Sequence, residues 1–160
     1  GIGTCGIQVG DLQVAAIVAV NACGNVVDYE TNELLAGVYD SHSGSVLKAQ
    51  DVLFQQMDAL RKLPEGNTTI GCIVTNAKLD KAQCTKIAGI AHNGYARAIH
   101  PVHTMSDGDS IFVLSSGEVE VMADAVGMLA TEMMAKAIKR AVLHAESAYG
   151  LPAHSDVICK

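Results

Sequence analysis

Residues 67–74 form the most distinctive stretch of the chain and read Asn67-Thr68-Thr69-Ile70-Gly71-Cys72-Ile73-Val74. The apolar run from 70 to 74 predicts a buried strand, and the two threonines directly precede it. Successive side chains of a strand point to opposite faces, so Thr68 and Thr69 are expected to face opposite ways. A β-branched residue that opens a strand is common, and the pattern alone therefore also fits a structural residue.

The functional interpretation of Thr68 requires a cut in the chain just before it. A threonine hydroxyl is a weak nucleophile until a base takes its proton. Cleavage between Asn67 and Thr68 would free an α-amino group, whose reference pKa of about 7.7–8.0 suits it to serve as the local base. The sequence therefore raises the hypothesis of a self-processing hydrolase that is cut at this bond.

Two carboxylates follow downstream in the segment Asp107-Gly108-Asp109. Asp-Gly pairs form turns, so a surface turn is the simplest interpretation. In an extended segment, however, positions i and i+2 put both carboxylates on the same side. Two close carboxylates titrate as a coupled pair, in which one can hold a proton while the other stays charged. Such a pair could orient the hydroxyl and amine of Thr68 and move protons.

Further segments, together with these, resemble the DmpA-type self-processing aminopeptidase family. The downstream segments are Val74-Thr75-Asn76-Ala77, Ala91-His92-Asn93-Gly94-Tyr95-Ala96-Arg97-Ala98-Ile99 and Pro101-Val102-His103-Thr104. The upstream segments are Gly1-Ile2-Gly3 and Val18-Ala19-Val20-Asn21-Ala22-Cys23-Gly24. The resemblance runs over essentially the whole chain and corresponds to the C-terminal portion of a family member.

The resemblance implies an α/β (α+β) fold, specifically the C-terminal portion of a four-layer αββα sandwich like that of ornithine acetyltransferase. It implies one domain portion over 1–160 that self-cleavage divides into 1–67, the end of a first (α) piece, and 68–160, a second (β) piece. It makes Thr68 the nucleophile, places Asp107 and Asp109 in the active site, and assigns Asn21 as an oxyanion-hole donor. It also implies an upstream N-terminal part of the same precursor and a homo-oligomer, expected to be a tetramer.

The family contains aminopeptidases for α- or β-peptides and the nylon-oligomer hydrolase. The aminopeptidases typically have a serine nucleophile and a later Ser/Glu pair, so Thr68 with Asp107 and Asp109 looks more like the nylon-oligomer hydrolase pattern. This leaves the substrate open among α-peptides, β-peptides, D-residue amides and nylon-type oligomers. A further lysine or tyrosine of the family's site would lie upstream of Gly1.

Two other functions stay open at this stage. An acyltransferase of the ornithine acetyltransferase type would share the self-cleaving threonine, although the Ala-Thr-Met-type motif of that family is absent. A non-enzymatic scaffold would keep the bond between Asn67 and Thr68 intact. An acyl-transfer assay with an amine acceptor distinguishes an acyltransferase from a hydrolase. The mass of the denatured protein distinguishes an intact scaffold from a self-cleaved enzyme.

Composition excludes several other classes. The chain has 160 residues, 49% of them hydrophobic, which fits a globular protein with one sizeable core. The net charge of −6 argues against nucleic acid as a partner. No apolar run reaches about 18 residues, which argues against a membrane span. The five cysteines form no C-x-x-C pair, which favours reduced thiols in a cytoplasmic protein.

The reaction scheme requires no metal or organic cofactor.

Three weaker motifs are interpreted as structural. Residues 1–6 match the dinucleotide glycine fingerprint in form only, and a flexible loop entering the first strand is predicted there. The histidines at 92, 100 and 103 lack zinc-ligand spacing and are predicted to support other groups. The acidic segment 28–33 matches no standard calcium loop and is predicted to be a solvated turn.

Periodicity places the elements along the chain. Strands are predicted at 14–21, 26–27, 70–74 and 110–114, the last followed by a turn at 115–117. Helices are predicted at 46–60, which Pro64-Glu65-Gly66 ends, and at 124–149, which Gly150 and Pro152 terminate. Between them a helix is predicted from a capping box of Asp80 and Gln83 up to Pro101. The methionines at 122, 128, 133 and 134 are assigned to core or subunit-interface packing.

Overall fold

The structure is a computed structural model that describes residues 1–55 and 66–157. Its strands are β1 (Ile2–Val9), β2 (Leu12–Ala19), β3 (Asn25–Val27), β4 (Leu34–Ala36), β5 (Val38–Asp40), β6 (Ser45–Leu47), β7 (Ile70–Ala77), β8 (Ile99–His100) and β9 (Ser110–Val119). Its helices are α1 (Ala49–Gln55), α2 (Lys81–Ala98) and α3 (Ala123–Leu143), with a 3-10 turn at His154–Asp156. No helix in the described ranges is both long enough and apolar enough to cross a membrane.

The main sheet has the strand order β1-β2-β7-β9. β1 and β2 form a hairpin in which Val9 pairs with Leu12, and β2 runs antiparallel to β7. β9 runs parallel to β7, and the crossover between them contains α2. The end of β2 and the beginnings of β7 and β9 therefore meet at one edge of the sheet, which is where the predicted site residues lie.

Helices α2 and α3 cover one face of this sheet and pack against each other. α3 crosses β1 and β2 very closely, since a β-carbon on Gly3 would lie 2.0 Å from the carbonyl oxygen of Ala137. The buried core between sheet and helices includes Val14, Val18, Ile73, Ile87, Tyr95, Ile99, Val126, Met133, Met134 and Ile138. Burial alternates along β2 because every second side chain of the strand enters this core.

The other face of the main sheet carries exposed apolar side chains. They are Ile17, Ile70, Val74, Phe112 and Leu114, all between 46% and 61% exposed. A single exposed apolar residue is ordinary, whereas a contiguous apolar patch on one sheet face is typical of an interaction surface. The described chain thus contributes one helix layer and one sheet layer.

Two predictions for the strands are wrong. Residues 1–6, predicted as a flexible loop, lie mostly within β1, because their glycines admit α3 and their backbone pairs with β2. The turn predicted at 115–117 lies inside β9, where the Ser115 hydroxyl donates to the carbonyl of Ala77 and Gly117 has a φ of 80°. The ladder between β7 and β9 shifts register there, so the turn-forming residues make an irregularity within one strand.

Two predicted helices also differ in their bounds. Val46 belongs to β6, where it pairs with Tyr39, and α1 begins only at Ala49. Residues 56–60 of that predicted helix lie outside the described residues, as do Pro64 and Glu65 of its predicted end. α3 ends at Leu143 rather than at 149. Beyond it, Ala148 and Leu151 bridge around Tyr149 and Gly150, whose positive φ angles of 55° and 80° form a turn instead of a helix end.

Other local predictions are confirmed. The capping box of Asp80 and Gln83 begins α2, with both of its hydrogen bonds present. Residues 28–33 form the predicted turn, closed by the bond from the amide of Asp28 to the carbonyl of Glu33. That turn is not fully solvated, however, because Asp28 is buried and binds Lys139 of α3. Among the four methionines, Met133 and Met134 are buried and the other two are exposed.

Candidate active site

Three segments meet at the edge of the main sheet where β7 begins. They are residues 21–23 after β2, 66–69 before β7 and 103–109 before β9. The amide of Thr68 donates to the carbonyl of Asn21 at 2.8 Å, which ties the first segment to the second. An isolated parallel bridge between Asn67 and Asp107 ties the second to the third. The topology therefore brings all five residues predicted for the site into one cluster.

Thr68 lies half-buried at the centre of this cluster. Its hydroxyl donates a hydrogen bond of 2.6 Å to the carbonyl oxygen of Asn67, on the other side of its own peptide bond. The same carbonyl oxygen accepts a second bond of 2.9 Å from the amide of Gly108. The nucleophile candidate and the carbonyl preceding it are thus held together.

Thr69 has a different environment from its neighbour. Its side chain is fully buried, and its hydroxyl has no hydrogen-bond partner among the described residues. Its amide donates to Asp109 Oδ1 at 2.9 Å, and its carbonyl lies 3.3 Å from the Tyr95 hydroxyl. Thr68 and Thr69 therefore lie on opposite faces of the extended segment, as the sequence predicts.

Asp107 fixes two loops of the site. One carboxylate oxygen accepts a bond of 3.2 Å from the amide of Cys23, and the other accepts bonds from the amide and hydroxyl of Thr104 at 2.9 and 2.7 Å. Burial and the negative charge of Asp107 raise the pKa of the Cys23 thiol. The thiol is therefore kept protonated, which argues against Cys23 as the nucleophile.

Asp109 joins the strand entrance to a histidine. Its side chain is only 4% exposed, and Oδ2 lies 2.8 Å from His103 Nδ1 while Oδ1 holds the amide of Thr69. A carboxylate only accepts hydrogen bonds, so Nδ1 of His103 carries the proton in this contact. The prediction that this histidine supports another group agrees with the geometry.

The two carboxylates flank Thr68 without hydrogen-bonding its hydroxyl, whose bond goes to Asn67. Every hydrogen bond found for Asp107 and Asp109 in the described residues goes to Cys23, Thr104, Thr69 or His103 instead. In this structure they therefore hold the surrounding loops and backbone amides in place. Their assistance to the nucleophile stays a prediction.

His103 connects Asp109 to a cluster of rings. The ring of His103 meets the ring of His92 edge-on, with centroids 4.9 Å apart, and lies tilted against the ring of Tyr95, with centroids 6.0 Å apart. Burial and then the charge of Asp109 raise the pKa of Tyr95, so its hydroxyl stays protonated and bonds backbone carbonyls. Burial and then the nearby His103 lower the pKa of His92, which favours a neutral ring.

Asn21 reaches the site mainly through its backbone. Its carbonyl holds the amide of Thr68, while its side-chain Nδ2 donates a long bond of 3.4 Å to the carbonyl of Gly66. The side-chain amide of Asn21 thus contacts the carbonyl of the residue before Asn67. Its predicted part as an oxyanion donor stays a prediction for the processed protein.

Sequence reasoning did not find several groups of this cluster. The amides of Cys23 and Gly108 are backbone groups that no side-chain pattern reveals. Thr104 and His103 belong to a quoted motif, but the bonds they make depend on how the loop folds back. Within the described ranges, no group of three or more His, Cys, Asp or Glu side chains is placed to hold a metal ion.

Comparison with known proteins identifies the family. Residues 1–155 match peptidase family S58. The chain belongs to this family. An uncharacterised aminopeptidase of Mycobacterium tuberculosis is 36% identical over 98% of the chain and 52% of its own length. A 6-aminohexanoate-oligomer endohydrolase of Paenarthrobacter ureafaciens is 30% identical over 88% of the chain and 44% of its own length. The resemblance found from the motifs is confirmed.

A solved structure confirms the fold. The S58 chain matches the L-aminopeptidase D-Ala-esterase/amidase of Ochrobactrum anthropi, described as a variant of the Ntn hydrolase fold, with a TM-score of 0.61. The match covers 100% of the chain and 44% of that structure at 18% identity, which speaks for the fold alone. The chain spans about half the length of the curated relatives it matches. Its sheet and helices therefore form a portion of this fold, which is consistent with the C-terminal portion that the resemblance implies.

Proposed function

We propose that this S58 protein is a self-processing amide hydrolase whose mature nucleophile is Thr68. The observation that carries the proposal is the 2.6 Å contact between the Thr68 hydroxyl and the carbonyl oxygen of Asn67. It places the hydroxyl beside the bond that it would have to attack. Thr69 lacks this arrangement, because its buried hydroxyl lies on the opposite face of the segment.

Self-cleavage would begin with attack of Thr68 Oγ1 on the carbonyl carbon of Asn67. A carbon–oxygen bond forms in a five-membered ring, and the hydroxyl proton passes to the Thr68 nitrogen as the carbon–nitrogen bond breaks. The product is an ester between Asn67 and the Thr68 side chain, with a free α-amino group. Water then hydrolyses the ester, which leaves Asn67 as a carboxylate and Thr68 as a new N-terminus.

The processed protein would use the same hydroxyl on a substrate amide. The α-amino group of Thr68 takes the hydroxyl proton, the substrate acyl group moves onto Oγ1, and the amine product leaves with a proton. Water then releases the acid. The Asn21 side chain, which contacts Gly66 in the uncut chain, becomes the donor for the substrate oxyanion once residue 67 has moved away.

Asp107 and Asp109 would keep this site in shape and assist proton transfer. Asp107 holds Cys23 and Thr104 in place, and Asp109 holds Thr69 and His103. The carboxylates thus support Thr68 from both neighbouring loops. No metal or organic cofactor enters the scheme.

The substrates would be peptides or peptide-like amides, as the names of the aminopeptidase and oligomer-hydrolase relatives indicate. Residues 1–67 would form the end of a first piece and 68–160 the second piece. An upstream part of the same precursor would cover the exposed sheet face, and the processed subunits would assemble as a homo-oligomer. The four free cysteines of the described residues support a reducing, cytoplasmic compartment.

The test is the denatured mass of the full-length protein that contains this chain, measured for the wild type and for Thr68→Ala. We expect the wild type to give fragments that end at Asn67 and start at Thr68, and the variant to stay uncut. Thr69→Val is the matched control, because it keeps the shape of a neighbouring threonine whose hydroxyl has no partner in the described structure, and we expect it to be cut.

Hydrolysis of amide substrates by the cut protein, and its loss in Thr68→Ala, would complete the proposal. An uncut wild type with no hydrolytic activity would contradict it and favour a scaffold. Cleavage in Thr68→Ala but not in Thr69→Val would move the nucleophile to the neighbouring residue. A cut protein that transfers acyl groups to an added amine far faster than to water would favour the acyltransferase.

A further inference from the structure

The carbonyl oxygen of Asn67 receives a hydrogen bond that the proposed mechanism has not used. The amide of Gly108 donates to it at 2.9 Å, within the isolated parallel bridge between residues 67 and 107. If the chain is cut after Asn67, negative charge develops on this oxygen while Thr68 attacks. A backbone N–H aimed at such an oxygen has the geometry of an oxyanion-hole donor.

The pairing around this bond departs from an ordinary parallel ladder. A regular ladder would give the amide of Thr69 to the carbonyl of Gly108, but Asp109 Oδ1 accepts it instead at 2.9 Å. Backbone pairing resumes only where the amide of Ser110 donates to the carbonyl of Thr69 at 3.0 Å. Asp109 thus replaces one ladder bond beside the Gly108 amide.

Both neighbours of Gly108 are held by their side chains. Asp107 is bonded to Cys23 and Thr104, and Asp109 to Thr69 and His103. The peptide between these anchors cannot turn away easily, so its N–H keeps its direction before the reaction starts. Such preorganisation makes a donor effective, because no reorientation is needed as charge develops.

Residue 108 also has a steric reason to be glycine. A β-carbon there would lie 2.9 Å from Thr68 Oγ1, which is closer than a real contact of this kind allows. The backbone of Gly108 is not in the left-handed region, so conformation alone would admit alanine. The missing side chain leaves room for the Thr68 hydroxyl.

We propose that the Gly108 amide is the oxyanion donor of the self-cleavage step. When Thr68 Oγ1 bonds to the Asn67 carbonyl carbon, the carbonyl electron pair moves to the oxygen that Gly108 already holds. When the carbon–nitrogen bond breaks, the pair returns and the Thr68 nitrogen carries the proton away. In this scheme the Gly108 amide stabilises the oxyanion of self-cleavage, and the Asn21 side chain stabilises the oxyanion of the substrate reaction. It rests on the proposed function, since it assumes the cut at Asn67-Thr68.

The direct test removes this one N–H in the full-length protein. Glycolic acid is placed at position 108 by nonsense suppression in cell-free translation, which replaces the amide with an ester. We expect the first-order rate constant of cleavage, followed by mass spectrometry, to fall by about 10²–10³-fold, the effect of losing one oxyanion donor. The matched control is glycolic acid at position 44, because the Gly44 amide also donates a 2.9 Å bond, to Asp40 in a distant turn. This control should keep the wild-type rate.

Gly108→Ala is the second arm, since it keeps the N–H and moves the Thr68 hydroxyl. Its cleavage should also slow, with an unfolding midpoint close to that of the wild type. Rates are compared at a temperature at which every variant is folded. Wild-type rates in the position-108 ester, or in Gly108→Ala, would overturn the inference while the proposed function stands. A wild type that is never cut would instead overturn the proposed function.

Discussion

At the scale of single residues, the candidate site is a set of hydrogen bonds that the sequence indicates only in part. The spacing and the family motifs predict that Thr68, Asp107 and Asp109 belong to one site, because these residue types suit its chemistry. They do not say that each aspartate holds a backbone amide and a loop instead of the Thr68 hydroxyl. Those partners are set by how three loops fold at one sheet edge, a long-range property that local patterns do not contain.

His103 is the residue whose substitution tests this network most directly. Its Nδ1 contacts Asp109 at 2.8 Å, and its backbone has a φ of 55°, a left-handed conformation that asparagine also tolerates. The amide nitrogen of an asparagine lies close to where the Nδ1 of a histidine lies. Asparagine at 103 should therefore preserve both the backbone and the contact, whereas alanine should lose the contact.

We predict that His103→Ala slows self-cleavage by about tenfold to a hundredfold, because a hydrogen bond to a charged group contributes about 1.5–3 kcal/mol. His103→Asn should restore the rate to within a few-fold of the wild type. The rate of appearance of the fragment that starts at Thr68 measures both, with urea unfolding as the check on stability. A positioning role is refuted if His103→Asn is as slow as His103→Ala, or if neither variant is slow.

At the scale of elements, the sequence predicts strands and helices best where an apolar period is backed by a local signal. β7 and the start of α2 have such signals, the apolar run and the capping box, and both elements form where they are predicted. The run from 70 to 74 is not buried throughout, however, because Ile70 and Val74 are exposed on the outer face of the sheet. β1 and the end of β9 do not, since their glycines and serines are typical of turns. They form strands because α3 packs against Gly3 and β9 pairs with β7, contacts that lie far away in sequence.

The ion pair between Asp28 and Lys139 fastens α3 to the small sheet of β3, β4 and β8. Asp28 is buried and also accepts a bond of 3.0 Å from the amide of Glu30. The bond from Lys139, and then that from Glu30, lower the pKa of Asp28 from 3.8. A carboxylate with a depressed folded-state pKa stabilises the fold fully above the unfolded pKa and loses this contribution as the pH falls through the folded pKa.

We predict that Asp28→Asn lowers the free energy of unfolding by about 1–2 kcal/mol at neutral pH, since it replaces a charge-assisted bond. The difference from the wild type should narrow as the pH falls below 3.8. Urea unfolding at both pH values measures it. Glu120→Gln is the control, because the pair of Glu120 with Lys78 is exposed and should leave the midpoint unchanged. An equal effect of both variants, or a gap that widens in acid, would contradict the prediction.

At the scale of the whole molecule, the chain builds two of the four layers that the family fold implies. The sequence could not show this from its periodicity, because residues facing a second sheet and residues facing helices are both apolar. The structure separates them, since Ile17, Val74 and Phe112 are exposed while Val14, Val18 and Ile73 are buried. We expect the upstream part of the proposed precursor to pack against this exposed face.

The last prediction follows from this face. In the full-length protein, Leu114→Ala should lower the free energy of unfolding by about 2–4 kcal/mol, because a second sheet would bury a side chain that is 59% exposed here. Met128→Ala is the control, since Met128 is 73% exposed on α3 beside Arg97 and Glu132 and should change little. Urea unfolding of both variants decides the matter. Equal, small effects would mean that Leu114 stays in solvent, and the upstream part would then have to pack elsewhere.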